Sequence, residues 1–291
     1  MKDDILEKYR TAGSLAARIL KEGAQQIRAG TSYLELVESM ETRVKDEGAQ
    51  LAFPLNLSLN EDAAHDTASF CDERIFKKGD VAKLDLGVQI DGYIADTATT
   101  VDLGNNSLLL DASHDALEAA IRTVRPGATT GDLGAAIQKE IESRGYRPIA
   151  NLTGHGLDQY VQHGPPTIPN IAINGGVVLE EGMVIAIEPF ATTGSGRVGE
   201  KARAEIYSQI SSKPVRIPAG RTVLDKIKDR NGLPFSRRWL GERKLDLAIP
   251  ALVRSGNLHG YPVLADVPGS LVSQHEHTVI VTGDGCIVTT R

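Results

Sequence analysis

The sequence has little cysteine, no surplus of positive charge and no long apolar run. Its two cysteines, Cys71 and Cys286, stand near opposite ends of 291 residues, which excludes a disulfide framework and suits a reducing compartment. A net charge of -6 argues against general affinity for DNA or RNA. No stretch approaches the roughly 18 apolar residues of a membrane span, and the opening Met-Lys-Asp-Asp leads into an amphipathic pattern without a secretory apolar core. The expectation is a cytoplasmic protein with no membrane partner. What is present is ordinary globular composition: 41% hydrophobic and 24% charged residues, in a chain long enough for one large domain or two modest ones.

Apolar residues at Ile5, Tyr9, Ala12, Leu15, Ala16 and Ile19 recur at helical spacing, and a second helix is expected from Thr31 to Val44 after the Ala29-Gly30 break. From Asp80 to Leu103 the period becomes two, with Asp91-Gly92 as a tight turn. Residues 111–145 read as helical, interrupted by Arg125-Pro126-Gly127. A glycine-rich stretch from Asn151 to Gly176 precedes a strand at Met183–Ile187. Residues 200–260 carry much of the basic charge, including Lys226, Lys228, Arg230, Arg237, Arg238, Arg243 and Lys244, and the only tryptophan, Trp239. They read as a helical insertion between strands of the main fold, and strand character returns at Leu271–Val288.

Asp85, Asp96, His155, Glu188 and Glu276 form a set of four carboxylates and one imidazole, the donors that two adjacent divalent metals require. With Asp91-Gly92 as a two-residue loop, Gly87 faces Asp96 and Asp85 becomes the diagonal neighbour of Asp96 on one strand face, about 7–8 Å away. Gly87 is expected to leave the space between them open. Two such aspartates repel without a cation. From the hairpin alone, a solvated polar face and a metal site stand equally open. His155 lies between Gly154 and Gly156, and His163 follows before Gly164-Pro165-Pro166. Glu188 ends the apolar run Val184–Ile187, where a carboxylate is costly unless paired or metal-bound.

In Gln274-His275-Glu276-His277-Thr278 the two histidines share one strand face and Glu276 the other, so either an H-x-H pair or Glu276 alone faces inward. H-E-x-x-H, the commonest zinc protease pattern, is absent. Gly194-Ser195-Gly196-Arg197-Val198-Gly199 matches a dinucleotide fingerprint in letters only: Pro189–Thr193 separate it from the strand, and no acid falls about twenty positions on.

Phe53-Pro54-Leu55-Asn56-Leu57-Ser58, Ala82-Lys83-Leu84-Asp85-Leu86-Gly87, Asp91–Ala98, Gly154-His155, Ile187–Ala191 and Glu276-His277-Thr278 together resemble the type II methionine aminopeptidases, in order along nearly the whole chain. The resemblance implies an α+β pita-bread fold of two pseudo-symmetric halves, with a helical, winged-helix-like insertion at 199–261 in a catalytic domain formed by 1–198 and 262–291. It implies two divalent ions per chain, Co, Mn, Fe or Zn, held by Asp85, Asp96, His155, Glu188 and Glu276. Position by position it implies that His65 and His163 face the substrate, that Phe53 and Tyr261 line the methionine pocket, and that Glu188 accepts a proton when a metal-bridging hydroxide attacks the first peptide bond. Gln162 departs from the apolar residue this family carries before its second histidine. The implied partner is the N-terminal methionine of nascent polypeptides, and without a long N-terminal extension the chain resembles the archaeal form. The sequence leaves the oligomeric state open, with a monomer as the expectation.

Two other functions share these features. An Xaa-Pro dipeptidase or aminopeptidase P uses the same ligands but usually carries an additional N-terminal domain, for which there is no room before Phe53. A non-catalytic relative would bind ribosomal or other RNA through the basic insertion, but such relatives lose ligands, and all five matching positions are intact here. Around Ser236–Trp239 a ribosome-docking surface and a solvated helical face are both open.

Overall fold

The computed structural model describes residues 1–241 and 247–291; Arg243 and Lys244, counted above among the basic residues, lie outside the described residues. Two helix-plus-sheet units follow one another along the chain. In the first, α1 (Asp3–Ala24) turns the stripe Tyr9, Ala12, Leu15, Ala16 and Ile19 inward, as its spacing predicts. The Ser32 hydroxyl caps α2 (Tyr33–Asp46) by accepting from the Glu35 amide at 3.3 Å. Both helices cover a sheet centred on Val81–Ile90. That strand pairs with Tyr93–Asp102 on one side, and with Gln50–Leu51 and then Asn56–Leu59 on the other. Both faces of the central strand are buried, even Lys83, whose ammonium donates to the carbonyls of Val272 and Asn60 at 3.0 and 3.1 Å.

The second unit repeats the arrangement. α3 (Ser107–Thr123) and α4 (Thr130–Ser143), the latter with a Thr129–Asp132 capping box, are separated by Arg125-Pro126-Gly127 as expected. Their apolar faces bury against a five-stranded sheet ordered Cys286–Val288, His277–Val281, Val184–Ile187, Thr153–Asp158 and Val161–Pro169. The stretch from Asn151 to Gly176, in which no strand was predicted, thus contains an antiparallel hairpin. Its glycines, prolines and bulged register erase the period-two signal. The two units meet where Ala98 and Glu276 exchange backbone hydrogen bonds at 3.0 and 3.3 Å, and where Thr97 and Thr100 donate to the carbonyls of Glu276 and Gln274.

Residues 199–265 are not wholly helical. They open with the strand Gly199–Gln209 and return along Leu258–Ala265, paired antiparallel, with α5 (Pro218–Ile227) and a shorter helix Ile249–Arg254 between them. The run Gly199-Glu200-Lys201-Ala202 is exposed and the half-buried Arg203 follows it, which hides the strand from a hydrophobic pattern. This segment has its own apolar cluster around Val223, Phe235 and Leu252. It docks on α2, where Arg238 Nη2 and Trp239 Nε1 donate to the buried Glu41 carboxylate at 2.8 and 2.7 Å. The glycine-rich loop 194–199 wraps the Asp266 carboxylate, which accepts from the amides of Ser195 and Gly196, and it leads into a strand rather than a helix. Among the described residues no helix is long and apolar enough to cross a membrane.

Candidate metal centre

The hairpin forms in the register its turn dictates. Asp91 and Gly92 have φ of 51° and 88°, the left-handed pair a two-residue loop needs, and Gly87 lies opposite Asp96 with Asp85 opposite Ala98. The space over Gly87 is not open, however. A Cβ there would stand 2.2 Å from Cε1 of Phe53, so the missing side chain makes room for the aromatic ring. Asp96 is fixed from across the sheet junction: its amide donates to Thr278 Oγ1 at 2.7 Å, and that hydroxyl donates back to the Asp96 carbonyl at 2.8 Å.

The junction also decides which face of residues 275–277 turns inward. His275 Nδ1 lies 2.8 Å from the Ser113 hydroxyl under α3, and His277 Nδ1 lies 2.8 Å from the Thr290 hydroxyl. Both histidines point away from the cluster. Glu276 points into it, where one ligand atom each of Asp96, His155 and Glu276 lies within 4.8 Å of the others. His155 sits on the hairpin Thr153–Pro169, whose strands approach so closely at Gly156 that a Cβ would meet the Pro165 carbonyl oxygen at 1.9 Å. With His155 Nδ1 at 3.3 Å from the Gly156 carbonyl, Nε2 faces the carboxylates, 3.7 Å from Asp96 and 3.6 Å from Glu188.

Phe53, His65, Asp85, Asp96, His155, His163, Glu188, Tyr261 and Glu276 all line one cavity of about 330 Å³. The His163 ring lies edge-on to His155 at 4.6 Å, and Tyr261 lies 5.6 Å from His65 and 6.4 Å from His163. His65 is held in the left-handed region at φ 65°, with Nδ1 at 3.3 Å from the Pro262 carbonyl. Gln274, which donates to Glu276 at 3.4 Å, and Thr278 were not singled out in the sequence. Both lie two residues from Glu276, so strand alternation about Glu276 would have found them.

Burial dominates the electrostatics. It pushes the Asp85 carboxyl up to about 7, and it drives Asp96, Glu188 and Glu276 well above the ordinary carboxylate range, reinforced by their mutual repulsion. It lowers His155 to about 3 and His65 to about 4, and it depresses His163, so all three imidazoles are neutral. Asp85 Oδ1 and Asp96 Oδ1 are buried without a hydrogen-bond partner. Orphaned carboxylate oxygens beside a neutral imidazole are donors for divalent cations, and this mixture suits Mn, Fe, Co or Zn. The residues fit a metal.

A model of metallopeptidase family M24 matches residues 7–282. The chain belongs to that family. It is 49% identical to a methionine aminopeptidase of Archaeoglobus fulgidus, with 100% of each chain covered, and 47% identical to one of Pyrococcus horikoshii, covering 98% of this chain and 99% of that one. In three dimensions it is similar to a thermophilic Arx1 at a TM-score of 0.89, covering 99% of this chain and 91% of that one; at 21% identity this likeness concerns the fold alone. The two helix-covered sheets with the site at their junction are the α+β pita-bread fold expected from the sequence. As a metallopeptidase the chain is a hydrolase that works with divalent metal.

Proposed function

We propose that this chain is a methionine aminopeptidase of the type II, archaeal form, which releases the N-terminal methionine of nascent polypeptides. The observation that carries this reading is the convergence of all nine expected residues on one cavity, in a chain that matches methionine aminopeptidases over its full length. Asp85, Asp96, His155, Glu188 and Glu276 would hold two divalent ions, since four carboxylates carry four negative charges and two dications balance them. When bound, such ions supply Lewis-acid polarisation and a water activated near neutral pH.

The remaining chemistry belongs to side chains. Glu188 takes the proton of the attacking water and passes it to the leaving amine, as a carboxylate lining the cavity beside His163 can. His163, neutral at working pH, donates an N–H to the oxygen on which charge develops. With Nδ1 turned to the Pro262 carbonyl, His65 presents Nε2 to accept from a peptide N–H. Phe53 and Tyr261 wall the pocket for the first side chain, and the free α-amino group is anchored at the acidic cluster, so one residue leaves per cycle. One chain supplies every group of the site. The insertion 199–261, set into a body of 1–198 and 262–291, supports the type II assignment.

The test is release of methionine from Met-Ala-Ser by chelated protein resupplied separately with manganese, cobalt, iron or zinc, with Xaa-Pro peptides in parallel. Metal-restored release from Met-Ala-Ser alone is expected. Cleavage confined to Xaa-Pro peptides would move the assignment to the prolidases, and no cleavage by folded, metal-loaded protein would end the hydrolase reading.

A further inference from the structure

His65 lines the cavity from a backbone at φ 65°, a left-handed conformation that a residue with a Cβ keeps only when its surroundings impose it. The next two residues are where that constraint is applied. The Asp66 side chain, 1% exposed, accepts from Arg74 Nη1 and lies 3.2 Å from Arg203 Nη1. The Thr67 carbonyl accepts from Nη2 of the same two arginines, at 3.1 Å from Arg74 and 2.9 Å from Arg203. Arg74 belongs to the first helix-plus-sheet unit, where its Nε and Nη2 donate to Asp72 and its guanidinium lies 3.8 Å from the centre of the Tyr33 ring. Arg203 stands instead on the insertion strand Gly199–Gln209, with Glu205 at 3.8 Å, and reaches across the boundary to Asp66, Thr67 and, at 3.7 Å, Asp72.

The same strand also governs the His65 ring. Ala204, next to Arg203, pairs with Pro262, and the Pro262 carbonyl lies 3.3 Å from His65 Nδ1. Ring and following backbone are therefore both held from one strand pair. Arg203 does not line the cavity and is only half-buried, so replacing it removes little apolar packing. We propose that Arg203 is a positioning residue for substrate binding: its guanidinium, forked between the Asp66 carboxylate and the Thr67 carbonyl, fixes the backbone of His65 and with it the aim of the ring at the substrate peptide. A planar fork can bridge two acceptors in this way, whereas a lysine ammonium is a single point of charge. The inference rests on the aminopeptidase reading and adds to it a residue outside the cavity.

The experiment is a double-mutant cycle on metal-loaded protein, measuring kcat and KM for Met-Ala-Ser in the parent, Arg203→Met, His65→Ala and the double variant, with folding of each checked by its thermal transition. Arg74 stays on Asp66 throughout, so the buried carboxylate keeps a counter-ion. In the parent background Arg203→Met should lower kcat/KM roughly tenfold, mostly through KM; in the His65→Ala background the same replacement should change it less than about twofold. Arg203→Lys should show a smaller loss with the same dependence on His65, and it carries the comparison should Arg203→Met fold poorly. An equal loss in both backgrounds would mean that Arg203 serves the structure of the insertion alone and would overturn the proposal, as would parent kinetics in a folded Arg203→Met. Failure of the parent on Met-Ala-Ser would instead remove the aminopeptidase reading and this positioning role with it.

Discussion

Gly87 and Phe53 are separated by 34 positions in sequence, yet the ring of one occupies the space where the other lacks a side chain. Gly87→Ala places a methyl 2.2 Å from the Phe53 ring, so the ring must leave the pocket wall. Such overpacking costs about 1–3 kcal/mol, and kcat/KM for Met-Ala-Ser should fall by roughly tenfold or more, mostly through KM. Urea denaturation and steady-state kinetics check the two parts; an unchanged KM would mean that Phe53 does not shape the pocket. His163→Ala should act differently, lowering kcat by about 10²–10³ with little loss of stability, as removal of an oxyanion donor does. A drop below tenfold would deny His163 that role. At this scale the carboxylates could be read from the sequence, because a turn fixes Asp85 against Asp96 and an apolar strand runs into Glu188. The contact of Phe53 with Gly87 could not. It exists because Gln50–Leu51 pairs with Gln89–Val88, a pairing no local pattern announces.

Among the elements, the hairpin Val81–Asp102 was legible because two residues with positive φ set the register of twenty. The hairpin that carries His155 and His163 was not, since its bulges and prolines break alternation. The insertion was seen as a change in composition but not as a strand pair, and its attachment to the body was invisible. Arg230 provides much of that attachment. Its guanidinium donates to the carbonyls of Leu51 at 2.7 Å, Ala52 at 2.8 Å and Pro234 at 2.5 Å, and it lies over the Trp239 ring. Ala52 precedes Phe53 and Pro234 lines the cavity, so one cation holds two pocket walls together across the insertion boundary. Arg230→Met keeps the apolar stem but orphans those carbonyls, and a loss of roughly 2–4 kcal/mol is expected from hydrogen bonds to a charged donor. KM should rise while kcat changes little, because Glu188 and His163 lie on other elements. Equal KM in parent and variant, at a temperature where both are folded, would show that the clamp serves stability alone.

For the molecule as a whole, the proposed ligand set would couple folding and metal binding through charge. Without metal, Asp85, Asp96, Glu188 and Glu276 hold protons more tightly folded than unfolded, Asp85 up to about 7 against about 3.9 in an unfolded chain. A carboxyl raised in this way makes stability fall as pH rises through the interval between its two values, by about 1.4 kcal/mol per pH unit for each group. His155 and His65, lowered to about 3 and about 4, act in the opposite sense, but their contribution is complete above about 6.5. Above about 7 the buried Lys83, itself lowered to about 7, also opposes the trend. Metal-loaded and chelated protein share the Lys83 term, so their difference isolates the cluster. The Tm gap between them should therefore widen from pH 6.5 to pH 8, as metal replaces protons that the chelated cluster can no longer keep. Glu276→Gln should raise the Tm of chelated protein at pH 8, because a carboxyl whose ionisation is opposed by burial but free in the unfolded chain is gone, and should shrink the rise on adding metal. A gap independent of pH, or a Glu276→Gln variant less stable than the chelated parent yet fully responsive to metal, would mean that these carboxylates do not bind the ions.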